Sequence, residues 1–124
     1  MASAFAAILR AAVGQTPGAL GSAFAADDGE TVDAIAIDPS HNLLDESFLA
    51  AHYGVVLAHI QSALRTLHYG EAEIVTVVHP ELSVLVRPVK DGYFALLALA
   101  PASSLALAMA ALDRAALALA EEMG

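Results

Sequence analysis

Two of the five histidines, His52 and His59, stand seven residues apart in a stretch with helical spacing. Seven residues span about 10 Å along a helix axis, too far for two imidazoles to share one ion. Neither has a second ligand three or four residues away, so a metal site within one chain is not expected. Ser40-His41 follows Asp38, but a hydrolytic serine needs a constrained turn such as G-x-S-x-G, and this is a plain loop. The only lysine is Lys90 and no G-x-x-x-x-G-K-[ST] occurs, so the chain has no P-loop of its own. Arg10, Arg65, Arg87 and Arg114 remain as cations that could meet a partner's phosphate, but the usual behaviour of surface charges favours solvated structural roles for them. These residues assemble no catalytic constellation. The sequence therefore predicts a chain that is not an enzyme and needs no cofactor.

The elements that would position these side chains centre on Leu82–Ala100, LSVLVRPVKDGYFALLALA. Two apolar runs flank the turn-forming segment Pro88-Val89-Lys90-Asp91-Gly92, which predicts a β-hairpin. The second arm, Phe94 to Leu99, has no polar face and so belongs at the centre of a sheet with helices on both sides. Earlier in the chain, Phe5, Ile8, Leu9, Ala12 and Val13 make one helical face over residues 2–14, stopped at Gly14. Ala19 to Ala26 reads as a strand rich in small residues, the mark of a closely packed helix. It turns at Asp27-Asp28-Gly29-Glu30 into a second strand, Thr31 to Ile37.

Asp38 to Leu44 is a loop by composition, and Asp45 or Ser47 can cap the helix that runs to about Leu67. That helix carries a main apolar stripe, Tyr53, Leu57, Ile60, Leu64 and Leu67. A second stripe, His52, Val56, His59 and Ala63, runs beside it with Val55 adjacent. Gly54, Gln61 and Arg65 form its wettable side. The apolar arc is wider than one contact with a sheet requires, so the second stripe either packs under the 38–47 loop or meets a helix of a second copy. Ile74 to His79 is the third strand. After the hairpin, Ser103 or Ser104 caps a last helix with the stripe Leu105, Met109, Leu112, Ala116, Leu119 and Met123. The predicted architecture is an α/β (α+β) sandwich of order αββαβββα. Its antiparallel sheet has strand order 2-1-5-4-3, the terminal helices cover one face and the middle helix the other.

A length of 124 residues suits a single domain over residues 1–124. Hydrophobic residues make up 58%, much of it alanine, yet Asp113 and Arg114 interrupt the most apolar stretch, so no membrane span is expected. The opening MASAFAAILRAAVG lacks a basic leader and carries Arg10 within its apolar part, which predicts a helix rather than a signal peptide. The absence of cysteine agrees with a cytoplasmic setting. The formal net charge of −9 argues against nucleic acid, which needs a basic stripe; it serves the solubility of an apolar chain, with steering of a basic partner as the alternative.

This order of elements resembles the roadblock (dynein light-chain type) domain, with a roadblock/profilin-like sandwich. The resemblance rests on the first helix, TPGALGSAFAADDGETVDA at 16–34, the long middle helix, and VRPVKDGYFALLAL at 86–99 before a final helix. It implies a dimer-forming scaffold or regulator that binds a Ras-like small GTPase or another roadblock protein. Bacterial Mgl-type regulators of a cell-polarity GTPase are the implied relatives. It also implies a homodimer interface built from the middle helix and third strand: His52, Val55, Val56, His59 and Ala63 with Ile74, Val75, Thr76, Val77 and Val78. The alternative is a small-molecule-binding sensor, because related folds hold ligands between the sheet and a helix.

Overall fold

A strand with no polar side chain has to be buried on both faces, and that requirement arranges the chain. The computed structural model describes residues 3–37 and 46–124. The predicted loop at 38–44, the Ser40-His41 pair and Asp45 lie outside them, as does the side chain of Ser47. The described elements are α1 (Ala4–Gly14), β1 (Ala19–Ala26), β2 (Thr31–Ala36), α2 (Glu46–Thr66), β3 (Val75–Val78), β4 (Ser83–Lys90), β5 (Tyr93–Leu99) and α3 (Leu105–Met123). Their sheet has the order β2-β1-β5-β4-β3, every neighbouring pair antiparallel. The αββαβββα order and the central place of β5 are as the sequence predicts. Phe94 to Leu99 are all buried.

The two faces of β5 feed two cores. Ala95, Leu97 and Leu99 join Leu9, Phe24, Leu85, Leu112 and Leu119 beneath α1 and α3. Phe94 and Leu96 join Ala23, Ala25, Val84, Val86 and Leu57 beneath α2. The small residues of β1 therefore lie where the sequence places them, under a closely packed helix. Ser22 is the polar exception within β1, and its hydroxyl donates to the Leu96 carbonyl at 2.7 Å. A buried hydroxyl with a partner costs little, whereas an unpaired one would cost about 1–3 kcal/mol.

The turns and caps follow from local chemistry, with two corrections. Asp91 (φ 54°) and Gly92 (φ 81°) form the two-residue turn between β4 and β5, a left-handed pair that suits the twist of a hairpin. Pro88 is not in the turn but inside β4, beside a register shift. It is tolerated because the β3–β4 pairing ends at Val86, so among the described residues this part of β4 has a strand neighbour on one side only. Ser3 caps α1 through Ala6 N–H (3.0 Å) and Ser104 caps α3 through Leu107 N–H (3.2 Å). On α3 the buried arc is Ala108, Ala111, Leu112, Ala115, Ala116 and Leu119, whereas Met109 of the predicted stripe is 38% exposed. The alanines turn toward α1 because small side chains let two helices approach closely. No helix among the described residues is long and apolar enough to cross a membrane.

Leu97→Ala would test the central place of β5. Removing a fully buried leucine from a packed core should lower stability by about 2–5 kcal/mol in urea unfolding. A change within ~0.5 kcal/mol, as expected of a surface site, would remove β5 from the centre.

Candidate interaction surface

The rotation of α2 about its own axis decides which side chains meet the sheet and which meet a partner. The contact side is Ala50, Gly54, Leu57 and Gln61, all buried. This overturns the sequence reading of Gly54 and Gln61 as wettable. Of the predicted main stripe only Leu57 is buried. Tyr53, Ile60 and Leu64 are half-buried on one flank, and Leu67 is 58% exposed. The cause lies in the sheet. The Phe94 ring stands beneath residue 54, and a Cβ there would sit 3.1 Å from Cε1 and Cζ, so glycine admits the helix where a larger residue would lift it. Two turns further on, Gln61 accepts the Ala72 N–H (2.7 Å) and donates to the Ala72 carbonyl (3.3 Å). Those paired bonds allow an amide to be buried.

With that rotation, the predicted interface side chains of α2 point outward. His52, His59 and Ala63 are exposed, Val55 is 53% exposed and Val56 half-buried. The His52 ring meets Tyr53 edge-on at 5.5 Å. Among the described residues no three His, Asp or Glu side chains are gathered to hold an ion.

The other half of the predicted surface is β3, which spans Val75–Val78, so Ile74 and His79 fall just outside it. Val75, Thr76 and Val77 are half-buried and Val78 is 71% exposed. Ile74, also half-buried, packs on the core beneath α3. Among the described residues the strand ends the sheet, pairing only with β4. The reciprocal bonds between Gln61 and Ala72 tie α2 to the segment that enters β3.

The two sheet edges are differently protected. On β2 the pairing slips between Phe24 and Ala25, opposite Val32, and Asp33 stands mid-strand, accepting a hydrogen bond from Ser3 Oγ. A bulge and an inserted charge are common guards against strand addition. The β3 edge, VTVV, has neither: its register runs unbroken from Val75 to Val78 and it carries no charge.

Three of the arginines weighed for chemistry make contacts within the chain. Arg65 pairs with Glu71 at 3.0 Å. Arg87 Nε lies 2.9 Å from Asp113 Oδ1, an ionic contact without hydrogen-bond alignment, while its Nη1 donates to the Glu73 carbonyl at 2.8 Å. Arg114 donates twice to Gln15 Oε1, at 2.8 and 3.0 Å, bridging α3 and α1. A groove of about 390 Å³ lies between α2 and the β4–β5 hairpin; the sequence reading offers a space between sheet and helix only in its sensor alternative and names none of these lining residues for it.

No sequence-family model matches the chain, and no curated protein matches it at a significant level. Solved structures do. MglC from Myxococcus xanthus is 28% identical over 97% of this chain and 99% of that one, with a TM-score of 0.69. The gliding protein MglB from Thermus thermophilus superposes with a TM-score of 0.85 at 15% identity, covering 98% of this chain and 90% of that one. A Roadblock/LC7 domain from Streptomyces avermitilis gives 0.72 at 13% identity, covering 94% of each. The fold is that of the Mgl-type roadblock domains.

Gln61→Leu would test how α2 is tied to the entry of β3. It keeps the bulk but strands the N–H and carbonyl of Ala72, at a cost of about 1–3 kcal/mol. Hydrogen exchange at the Ala72 amide should accelerate beyond the change seen at Leu97. Equal acceleration at both sites would mean that Gln61 adds only to global stability.

Proposed function

We propose that this chain is a non-catalytic regulatory or scaffold module that pairs with a second copy of itself through α2 and β3. In that form it binds a Ras-like small GTPase or another roadblock protein. The reading treats residues 1–124 as one roadblock-like domain acting in the cytoplasm. It is carried by the unguarded β3 edge, tied through Gln61 to a helix that turns Val55, Val56 and Ala63 outward. An apolar helix face and unpaired backbone of this kind are surfaces a partner usually covers. His52 and His59 would lie within that contact, and Ile74 to Val78 would supply its strand. The likeness to MglC, and to an MglB structure described as having a tetrameric arrangement, supports a role in assembly.

The sensor alternative finds less support. Its ligand would lie between the sheet and α2; Phe94 fills that space where the helix crosses at Gly54, and the groove of about 390 Å³ beside the β4–β5 hairpin is open to solvent rather than enclosed in the core.

Sedimentation velocity should show the parent chain as a dimer at micromolar concentration and Val56→Glu as a monomer, because the new carboxylate would be buried unpaired. A parent that sediments as a monomer removes self-pairing from the proposal. Titration against a Ras-like GTPase, loaded in turn with GDP and a GTP analogue, and against roadblock proteins of the same genome addresses the partner. Binding that prefers one nucleotide state marks a direct regulator, and binding only to a roadblock protein marks an adaptor. If neither class binds, the functional proposal is wrong.

A further inference from the structure

Besides the stripe it buries, α3 carries a second one. Leu107, Ala110, Arg114, Leu117 and Glu121 follow a 3, 4, 3, 4 spacing on the side turned away from the sheet, and all are exposed. Leu107 is 52% and Leu117 67% exposed. Single exposed leucines are ordinary on a protein surface, but this spacing is that of a seam between two helices. Beside it, between α1 and α3, lies a recess of about 170 Å³ with room for one aliphatic side chain. Ile8, Ala11, Ala115 and Ala118 line it, together with the bonded pair Arg114 and Gln15.

The charges of this stripe are complementary to those of a copy of itself. Arg114 stands three residues before Leu117, and Glu121 four after it. The two are about 10 Å apart along the axis, too far to pair within one helix. Among the described residues neither takes part in an ion pair. Two such helices laid antiparallel and crossing at Leu117 would bring each Arg114 opposite the Glu121 of the other. A parallel pair would instead set arginine beside arginine and glutamate beside glutamate. Two copies can approach here despite a net charge of −9 each, because α1 and α3 together carry two arginines against three carboxylates.

We propose that α3 pairs antiparallel with α3 of a second copy. Leu117 of each copy enters the recess between α1 and α3 of the other, and Arg114 meets Glu121 across the seam. The contact is isologous, one patch serving both copies. One leucine and two exposed ion pairs make a small interface, so it forms at about hundreds of micromolar rather than micromolar concentration. It is separate from the α2–β3 face, because α2 packs on one face of the sheet and α3 on the other. A chain that uses both faces would assemble beyond the dimer.

Sedimentation equilibrium of Val56→Glu, which blocks the α2–β3 face, reads this contact alone. Between roughly 20 µM and about 1 mM it should pass from monomer toward dimer. Arg114→Glu or Glu121→Arg, added singly, sets like charges across the seam and should weaken association at least about threefold. The two together should restore it. Arg114→Glu also loses the bonds to Gln15, but Glu121→Arg does not, and only a seam of this register predicts the recovery. The parent chain has no cysteine, so Leu117→Cys introduces a single thiol beside the two-fold axis, and oxidation should cross-link it into a dimer. Ala110→Cys lies about 10 Å from the axis, hence about 20 Å from its mate, and should not cross-link. The proposal is overturned if Val56→Glu stays monomeric throughout, which would leave the stripe to a different protein. It is also overturned if the exchanged charges restore nothing, or if both cysteines cross-link alike. A parent that is monomeric at micromolar concentration bears on the α2–β3 pairing alone.

Discussion

The contact between Gly54 and the Phe94 ring sets the orientation of α2, and much of the molecular surface follows from it. Phe94 belongs to the run Phe94 to Leu99, all of it apolar and buried, so its ring cannot turn to solvent. A helix crossing this close leaves little room for a side chain at that point, since a Cβ would lie 3.1 Å from the ring. Glycine in a helix interior costs about 1 kcal/mol relative to alanine. Here that cost is set against close packing over Ala23 and Ala25 and burial of the ring. Once Gly54 is placed, the 100° advance per residue puts Leu57 and Gln61 on the sheet and sends Val55, His59 and Ala63 away from it.

The layers, the strand order and the central strand are legible in the sequence because each rests on a strong local pattern. Phe94 to Leu99 has no polar residue, Asp91-Gly92 is a two-residue turn signal, and the small residues of β1 imply close helix packing. The facing of α2 is misread from sequence for a physical reason. Sequence patterns rank helix faces by hydrophobicity, and by that measure Tyr53, Leu57, Ile60, Leu64 and Leu67 outrank Ala50, Gly54, Leu57 and Gln61. The second set has the same kind of three- and four-residue spacing. It prevails because steric fit at Gly54 and a doubly bonded amide at Gln61 are tertiary facts. Met109 of α3 is misplaced by the same bias, which favours a large apolar residue over the alanines that face α1.

The outward stripe His52, Val55, Val56, His59 and Ala63 draws on a family resemblance as well as on spacing. The structure adds that these residues face away from the sheet, and that α2 is bonded to the segment leading into β3. Which residues line the groove beneath the other flank of α2 is not legible in the sequence. Two of them, Asp27 and Asp91, are far apart along the chain, and only the β1–β5 pairing, with Ala26 opposite Tyr93, brings their turns together.

The contrast between the sheet edges bears on what kind of assembly the proposed pairing would make. A sheet with two open edges can add strands at both ends and grow without limit. Here β2 has its bulge, its mid-strand Asp33 and the hydrogen bond from Ser3, while β3 is short, regular and uncharged. An antiparallel pairing of β3 with β3 of a second copy is isologous: each strand uses the same edge, and the pairing consumes it. The remaining edges of such a dimer would both be β2, the guarded ones. Association through the sheet would then stop at two copies, and larger assemblies would have to be built through helices rather than strands.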